Sequence, residues 1–285
     1  MTLIWDGLSL GAVYALVAIG YNIVFTASGT FNFAHAQLLM LGAFVAYWGL
    51  AVLKLPVVLV FLLAALIVGV IAVAEERIAI RTVRGTEAQL VTTVGVATLL
   101  SGGSQLIWGG QPLTVPFLNG DNVWTVLGGR VLPVEIVLIA AAILLTLALV
   151  YYGRHTMIGL AVLAMAEDRE AAMLRGVSAR MLALGAFALS GVLAGLAGPI
   201  VGPKTFAVAT LGSSLALKGF VALALGGFGS LGGGLIGGLV IGLVEQISTR
   251  YLGSVYVNLT IFAVLLLILL LRPAGLFGRT RERVV

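Results

Sequence analysis

Cysteine is absent from the 285-residue chain, which excludes disulfides, thiolate metal sites, iron–sulfur clusters and cysteine nucleophiles. Charge is scarce, at 9% of residues against about 25% in soluble domains. There is no G-x-x-x-x-G-K-S/T phosphate loop, so the chain itself should not hydrolyse ATP. No Pro/Ser-rich linker and no polar stretch of domain length interrupts it, so one membrane domain over 1–285 is expected. The first basic residue is Lys54; without a positive region ahead of it, Leu8–Phe25 reads as a retained span and not a secretory leader.

What is present is apolar: 61% hydrophobic residues and a mean hydropathy of +1.17. Runs close to the ~20 residues that cross hydrocarbon recur at Leu8–Phe25, Phe33–Leu53, Val57–Ala74, Leu90–Trp108, Val134–Tyr152, Met181–Val201 and Val257–Leu271. Shorter cores at Leu215–Leu225 and Leu235–Val244 need extending. The expected fold is an all-α polytopic bundle of about eight or nine membrane segments, some broken or re-entrant.

The net charge of +5 is unevenly spread. Arg77, Arg81 and Arg84 share one loop, Arg154 to Arg180 another, and Arg272, Arg279, Arg281 and Arg283 the tail. The positive-inside rule places all three in the cytoplasm and, by parity, the N-terminus outside. That bias accounts for the high pI without any nucleic-acid partner. Glu75–Gln89 reads as a helix end continuing into the cytoplasm. Gln111–Pro133, with Asp121, Arg130, several prolines and an Asn119-Gly120 turn signal, reads as an external loop on the membrane surface.

The apolar pattern breaks twice. At Thr26–Gln37 a span stops at small and polar residues and another begins; at Gly226–Gly238 glycine is so dense that a continuous helix would be poor, since each Gly costs about 1 kcal/mol relative to Ala. Discontinuous helices in a membrane point to a substrate path. The first break places Asn22, Ser28, Asn32, His35 and Gln37 together as candidates to line it. For His35, an inward-facing functional role stands beside a neutral ring bonded to a backbone carbonyl of the neighbouring helix. Lys218 reads as a snorkelling lysine. Met165, Met173 and Met181 read as packing and not as a metal site.

The densest charge lies in Gly153–Arg180, GRHTMIGLAVLAMAEDREAAMLRGVSAR. A short helix from near Ala164 to Arg175, a left-handed stop at Gly176 and a cap at Ser178 would present Met173, Leu174 and Val177 inside a rim of Glu167, Asp168, Arg169 and Arg175. A solvated interhelical turn is the bland alternative.

Glu170-Ala171-Ala172-Met173-Leu174-Arg175-Gly176 resembles the E-A-A-x-x-x-G loop by which permeases of ABC importers dock onto ATPase subunits, although the Leu-Pro expected downstream is replaced by Ala186-Phe187-Ala188-Leu189. Asn32-Phe33-Ala34-His35-Ala36-Gln37, continuing to Gly42-Ala43-Phe44, resembles the N-F-A-H-G-E segment of LivH-type permeases for branched-chain amino acids. Gly11-Ala12-Val13-Tyr14, Glu76-Arg77-Ile78-Ala79, Leu225-Gly226-Gly227-Phe228-Gly229-Ser230 and Arg272-Pro273-Ala274-Gly275-Leu276-Phe277-Gly278 extend the match along the chain. The family's Gly and Glu after the histidine are Ala36 and Gln37 here.

The resemblance implies a bacterial inner-membrane permease subunit of an ABC importer for branched-chain or related amino acids. It implies a related or identical second permease, two ATP-binding subunits that carry ATP and Mg²⁺, an extracytoplasmic solute-binding protein and surrounding lipid. It casts Glu167, Asp168, Arg169, Glu170, Met173, Leu174 and Gly176 as the ATPase-coupling loop within 153–180. No catalytic residue, metal or cofactor is expected in the chain itself. A stand-alone secondary transporter or channel is the alternative that broken helices and a polar seam could equally build. An intramembrane enzyme lacks the clustered acids or nucleophile–base pair it would need.

Overall fold

Eight helices in the described residues are long and apolar enough to cross a membrane. The structure, a computed structural model, describes residues 1–83, 85–117, 123–126 and 128–278. Arg84, the Asn119-Gly120 turn signal, Asp121 and the tail arginines 279, 281 and 283 lie outside them.

The expected spans reappear, most of them lengthened at their polar ends. They are α1 (Thr2–Ser28), α2 (His35–Tyr47), α3 (Val57–Ala74), α4 (Thr86–Trp108), α5 (Pro133–His155), α8 (Ala179–Thr205), α10 (Leu231–Tyr251) and α11 (Val257–Leu271). Two of them gain a π-helical extension, α2 to Val52 and α3 to Ile80. Between α5 and α8 lie the short α6 (Met157–Glu167) and α7 (Arg169–Leu174), and α9 (Leu211–Gly226) precedes α10. At 16 residues α9 is about 24 Å long, short of the ~30 Å hydrocarbon core.

Local chemistry sets many boundaries. Side chains of Thr156, Asp168, Ser178 and Ser230 accept a backbone N–H in the first turns of α6, α7, α8 and α10. Gly29, at φ 73°, ends α1 in the left-handed region. The carbonyls left open at the end of α9 are taken by the descending tail, where Leu276 N–H donates to Leu225 O and Phe277 N–H to Gly226 O.

α1 is the centre of the bundle. It packs on α10, α8, α9 and α5, and 78% of its apolar window is buried, against 17% for α4 and α11. Contacts sort the helix ends into two groups. One end holds Met1 against Gly129, Lys204 beside Asp6 and Glu135, and a bridge between Leu113 and Ala207. The other, basic end gathers Arg81, Arg169 and Arg180 around Ser28 and Gly29.

Three expectations need correction. The break at Gly226–Gly238 is confined to a turn at residues 227–230, with Gly227 and Gly229 at φ 101° and 82°. The other glycines of the stretch sit inside helices, and packing requires several of them: a Cβ at Gly238 would meet Ala15 and one at Gly237 the Ala222 carbonyl, as one at Gly242 further along would meet the backbone of Gly7 and Gly11, whereas Gly232 has nothing within 4 Å. The segment 111–133 is not only loop. It contains an antiparallel hairpin, β1 (Trp124–Val126) with β2 (Gly129–Val131), anchored where Arg130 N–H donates to Thr2 Oγ1 at 3.1 Å. The helix expected from Ala164 to Arg175 is two helices, split at Asp168, whose φ and ψ are extended.

Gly242→Ala should therefore lower the stability of the detergent-solubilised chain by about 1–3 kcal/mol through overpacking. Gly102→Ala, a mid-helix site in α4 with nothing within 4 Å, should change it little or raise it by up to ~1 kcal/mol. Thermal unfolding of the two variants checks this; equal effects would remove the packing explanation.

Candidate functional site

The polar joint between α1 and α2 forms because the chain needs hydrogen bonds where two helices end inside the bundle. Asn22 is fully buried and its Oδ1 accepts the Gly229 N–H at 2.8 Å, tying α1 to the turn before α10. Ser28 Oγ donates to Val24 O at 2.7 Å and accepts from Thr30 N–H at 3.1 Å, closing the end of α1. Asn32 Oδ1 accepts from Ala34 N–H at 2.9 Å, and its amide donates to Glu75 Oε2 on the extension of α3 at 3.2 Å. His35 opens α2, with Nδ1 2.8 Å from Ser190 Oγ on α8 and its ring edge-on to Tyr21. Gly20 makes room for it, since a Cβ there would overlap the imidazole. Gln37 packs against Gly212 at the start of α9.

These candidates are neighbours along the chain, yet each turns to a different partner. Asn22, Asn32, His35 and Gln37 are all buried, and together they staple α1 and α2 to α3, α8, α9 and the turn before α10. Asn22 Nδ2, Gln37 Oε1 and Glu75 Oε1 find no hydrogen-bond partner among the described residues. His35 bonds a neighbouring helix through the Ser190 hydroxyl and not through the backbone carbonyl that the second reading named.

The charged segment is a second, surface-facing unit. Asp168 Oδ1 caps α7 by accepting Ala171 N–H at 3.0 Å. Arg169 Nη1 donates to the Ser28 carbonyl at 3.1 Å, so α7 is tied directly to the end of α1. Glu167 and Glu170 are exposed, as are Met173 at 45% and Leu174 at 89%. Gly176 adopts φ 87°, and Val177 N–H returns to Ala172 O, closing α7 as expected. Of the three evenly spaced methionines only Met165 is buried; Met173 and Met181 are exposed, so packing does not explain them. A cleft of about 420 Å³ lies where the two units meet, lined by Ser28, Thr30, Glu76, Arg81, Arg169 and Arg180 among others.

Glu75, Glu76 and Lys204 escape the sequence reading, and Lys218 departs from it. Glu75 and Glu76 are 5% and 4% exposed, enclosed by the π-helical extension of α3 where a cytoplasmic helix end was expected. Lys204 bridges Asp6 and Glu135 at the opposite end. Lys218 does not snorkel: its ammonium lies 2.5 Å from Glu245 Oε1 and 3.2 Å from the Tyr14 hydroxyl. Tyr14 in turn donates to Glu245 Oε2 at 2.5 Å. The one sequence signal for this cluster is a lone Lys and a lone Glu in successive apolar runs, 27 residues apart.

Residues 3–271 match the family described as "Branched-chain amino acid transport system / permease component". The chain is 34% identical to the high-affinity branched-chain amino acid transport system permease protein LivH of Escherichia coli K12, covering 96% of this chain and 94% of that one. It is 30% identical, with the same coverage, to the corresponding protein BraD of Pseudomonas aeruginosa. More distantly, it is 27% identical to the ribose import permease protein RbsC of Haemophilus influenzae over 78% of this chain and 68% of that one.

Replacing His35 by Leu should cost about 1–3 kcal/mol by leaving the buried Ser190 hydroxyl with only its 3.4 Å contact to Gly20 O, and a double-mutant cycle with Ser190→Ala should return a coupling of about 0.5–1.5 kcal/mol. Unfolding of the solubilised single and double variants measures it. Strict additivity would show that the two side chains do not depend on each other.

Proposed function

We infer the role of this chain from one fact: it belongs to the family of branched-chain amino acid transport system permease components. It is a multi-pass permease subunit of an ABC importer and forms part of the translocation path for branched-chain or related amino acids. Its work is transport, not catalysis, and ATP and Mg²⁺ reside on separate partner subunits. The complex contains a second permease, two ATP-binding subunits and an extracytoplasmic solute-binding protein, set in a bacterial cytoplasmic membrane. The gathering of Arg81, Arg169 and Arg180 at one end supports placing that end in the cytoplasm, with the N-terminus outside and the C-terminus inside.

The observation that carries the coupling role is the contrast within α7. Its outer side exposes Leu174 and Met173, apolar groups that a lone solvated turn has no reason to present. Its base is held by Arg169 to the Ser28 carbonyl, next to the left-handed Gly29 joint. An ATPase seated on Leu174 and Met173 would move α7 when it closes on ATP. Arg169 would pass that displacement to the junction of α1 and α2. The polar joint from Asn22 to Gln37 then shapes the path from behind, since its side chains are enclosed by the chain's own helices.

Purification of the tagged chain from native membranes in mild detergent, with mass spectrometry of what accompanies it, tests this reading. Two phosphate-loop ATPases and a second polytopic chain are expected. A stable chain without ATPases, where a control ABC complex survives, would favour a transporter or channel acting alone. Leu174→Asp should abolish ATPase co-purification while changing stability by no more than about 0.5 kcal/mol, because the side chain is 89% exposed. Arg169→Ala and Gly176→Val should leave assembly and ATP hydrolysis in place but reduce uptake; normal uptake in both would sink the coupling assignment.

A further inference from the structure

The outer faces of most spans are made for lipid. Val58, Leu62, Leu66 and Val70 are exposed along α3, and Leu259, Leu266 and Leu270 along α11. The outer face of α9 differs: Ser213 and Ser214 are exposed, and Lys218 stands one turn on from Ser214. On α10, Glu245 and the exposed Thr249 occupy one face four residues apart. The Lys218–Glu245 pair joins the two helices, and each side chain keeps some surface, 14% and 13%.

Depth makes this surface informative. Tyr14, which bonds Glu245, sits near the middle of α1, about 20 Å from either end at 1.5 Å per residue. An ion pair open to the outside of the chain at that level cannot rest against acyl tails, because exposed charge in hydrocarbon is strongly disfavoured. We infer that the α9–α10 face bearing Ser214, Lys218, Glu245 and Thr249 lines the water-filled translocation path. There Lys218 takes the α-carboxylate, and Glu245 the α-ammonium, of a zwitterionic amino acid.

The chemistry is an exchange of contacts without a change of charge. Lys218 and Glu245 satisfy each other, with Tyr14 donating to the carboxylate. A zwitterion replaces that contact by two of matched sign, so no charge is stranded. Tyr14 continues to hold Glu245, and Leu217, 44% exposed beside Lys218, offers apolar surface to an aliphatic side chain. The polar joint of α1 and α2 lies behind this wall, with Gln37 against Gly212.

This inference rests on the permease reading, and the test separates the two. Because the chain has no cysteine, Ser214→Cys, Thr249→Cys, Val255→Cys and Leu266→Cys each place a single thiol in it. The complete transporter is labelled in intact cells with membrane-impermeant methanethiosulfonate ethyltrimethylammonium, and the tagged chain is then purified to read its own label. Ser214→Cys and Thr249→Cys should react like Val255→Cys in the α10–α11 connection, while Leu266→Cys on the lipid face should not. Leucine at about ten times its half-saturating concentration should slow labelling of Ser214→Cys about tenfold and leave Val255→Cys unchanged. Adding Glu245→Gln to Ser214→Cys should abolish that protection while the thiol still labels.

Thiols at 214 and 249 as unreactive as that at 266 would mean lipid or a dry subunit contact and would overturn the path. Labelling without leucine protection, or protection that survives Glu245→Gln, would overturn the recognition role. Absence of ATPases from the same purified material would instead overturn the permease reading, whatever the labelling shows.

Discussion

Where Gly242 meets Gly7 and Gly11, and Gly238 meets Ala15, the backbones of α10 and α1 touch without side chains between them. Lipid tails are as apolar as leucine, so helices in a bilayer gain little from burying apolar faces against each other. Cohesion comes from close van der Waals contact instead. The same device recurs with Gly198 against Gly42 and Gly195 against Ala64, while Gly219 of α9 makes room for the Val17 side chain of α1. Interior glycines, which would weaken an isolated helix, are here what allows a 27-residue central helix to be enclosed on several sides.

Enclosure creates the second constraint, that polar groups drawn into the bundle need partners inside it. α1 carries such links along its whole length. Asp6 meets Lys204 near one end, Tyr14 meets Glu245 in the middle, Asn22 meets Gly229, and Ser28 receives Arg169 at the basic end. A displacement of α1 therefore strains contacts on α8, α10, the turn before α10 and α7 together. A central helix tied in this way is suited to pass a movement from one face of the membrane to the other, because its contacts can rearrange only as a set.

The spans were legible because a run of about 20 apolar residues has few other uses. The joint at Thr26–Gln37 and the cap pattern of Gly176 and Ser178 were legible because left-handed glycines and serine caps act locally. Tertiary partners were not. Density of glycine in 226–238 carries the same one-dimensional signal whether the helix breaks or packs, and only the neighbouring helices, α9 for Gly233 and Gly237 and α1 for Gly238, decide between them. Glu75 and Glu76 follow an apolar run, as helix-end carboxylates do, and their burial depends on Asn32 and a π-helical turn. A lysine in an apolar run, taken alone, reads as snorkelling, whereas the counter-ion of Lys218 lies on another helix. Polar residues of the joint were found, but not that each one serves a different neighbour.

The buried ion pairs differ in what they add. Lys204 with Asp6 and Glu135 lies at a helix end, where it joins α1, α5 and α8, so cohesion is a sufficient reason for it. Lys218 and Glu245 join α9 to α10 beside a seam that Gly226, Gly233 and Gly237 already close by backbone contact. A desolvated ion pair is a poor way to strengthen such a seam, since well-packed apolar residues of similar volume often do as well or better, by about 1–4 kcal/mol. At mid-helix depth it also carries the larger desolvation penalty. What an ion pair supplies that leucines cannot is matched opposite charge a few ångströms apart, which is the pattern a zwitterion presents in reverse.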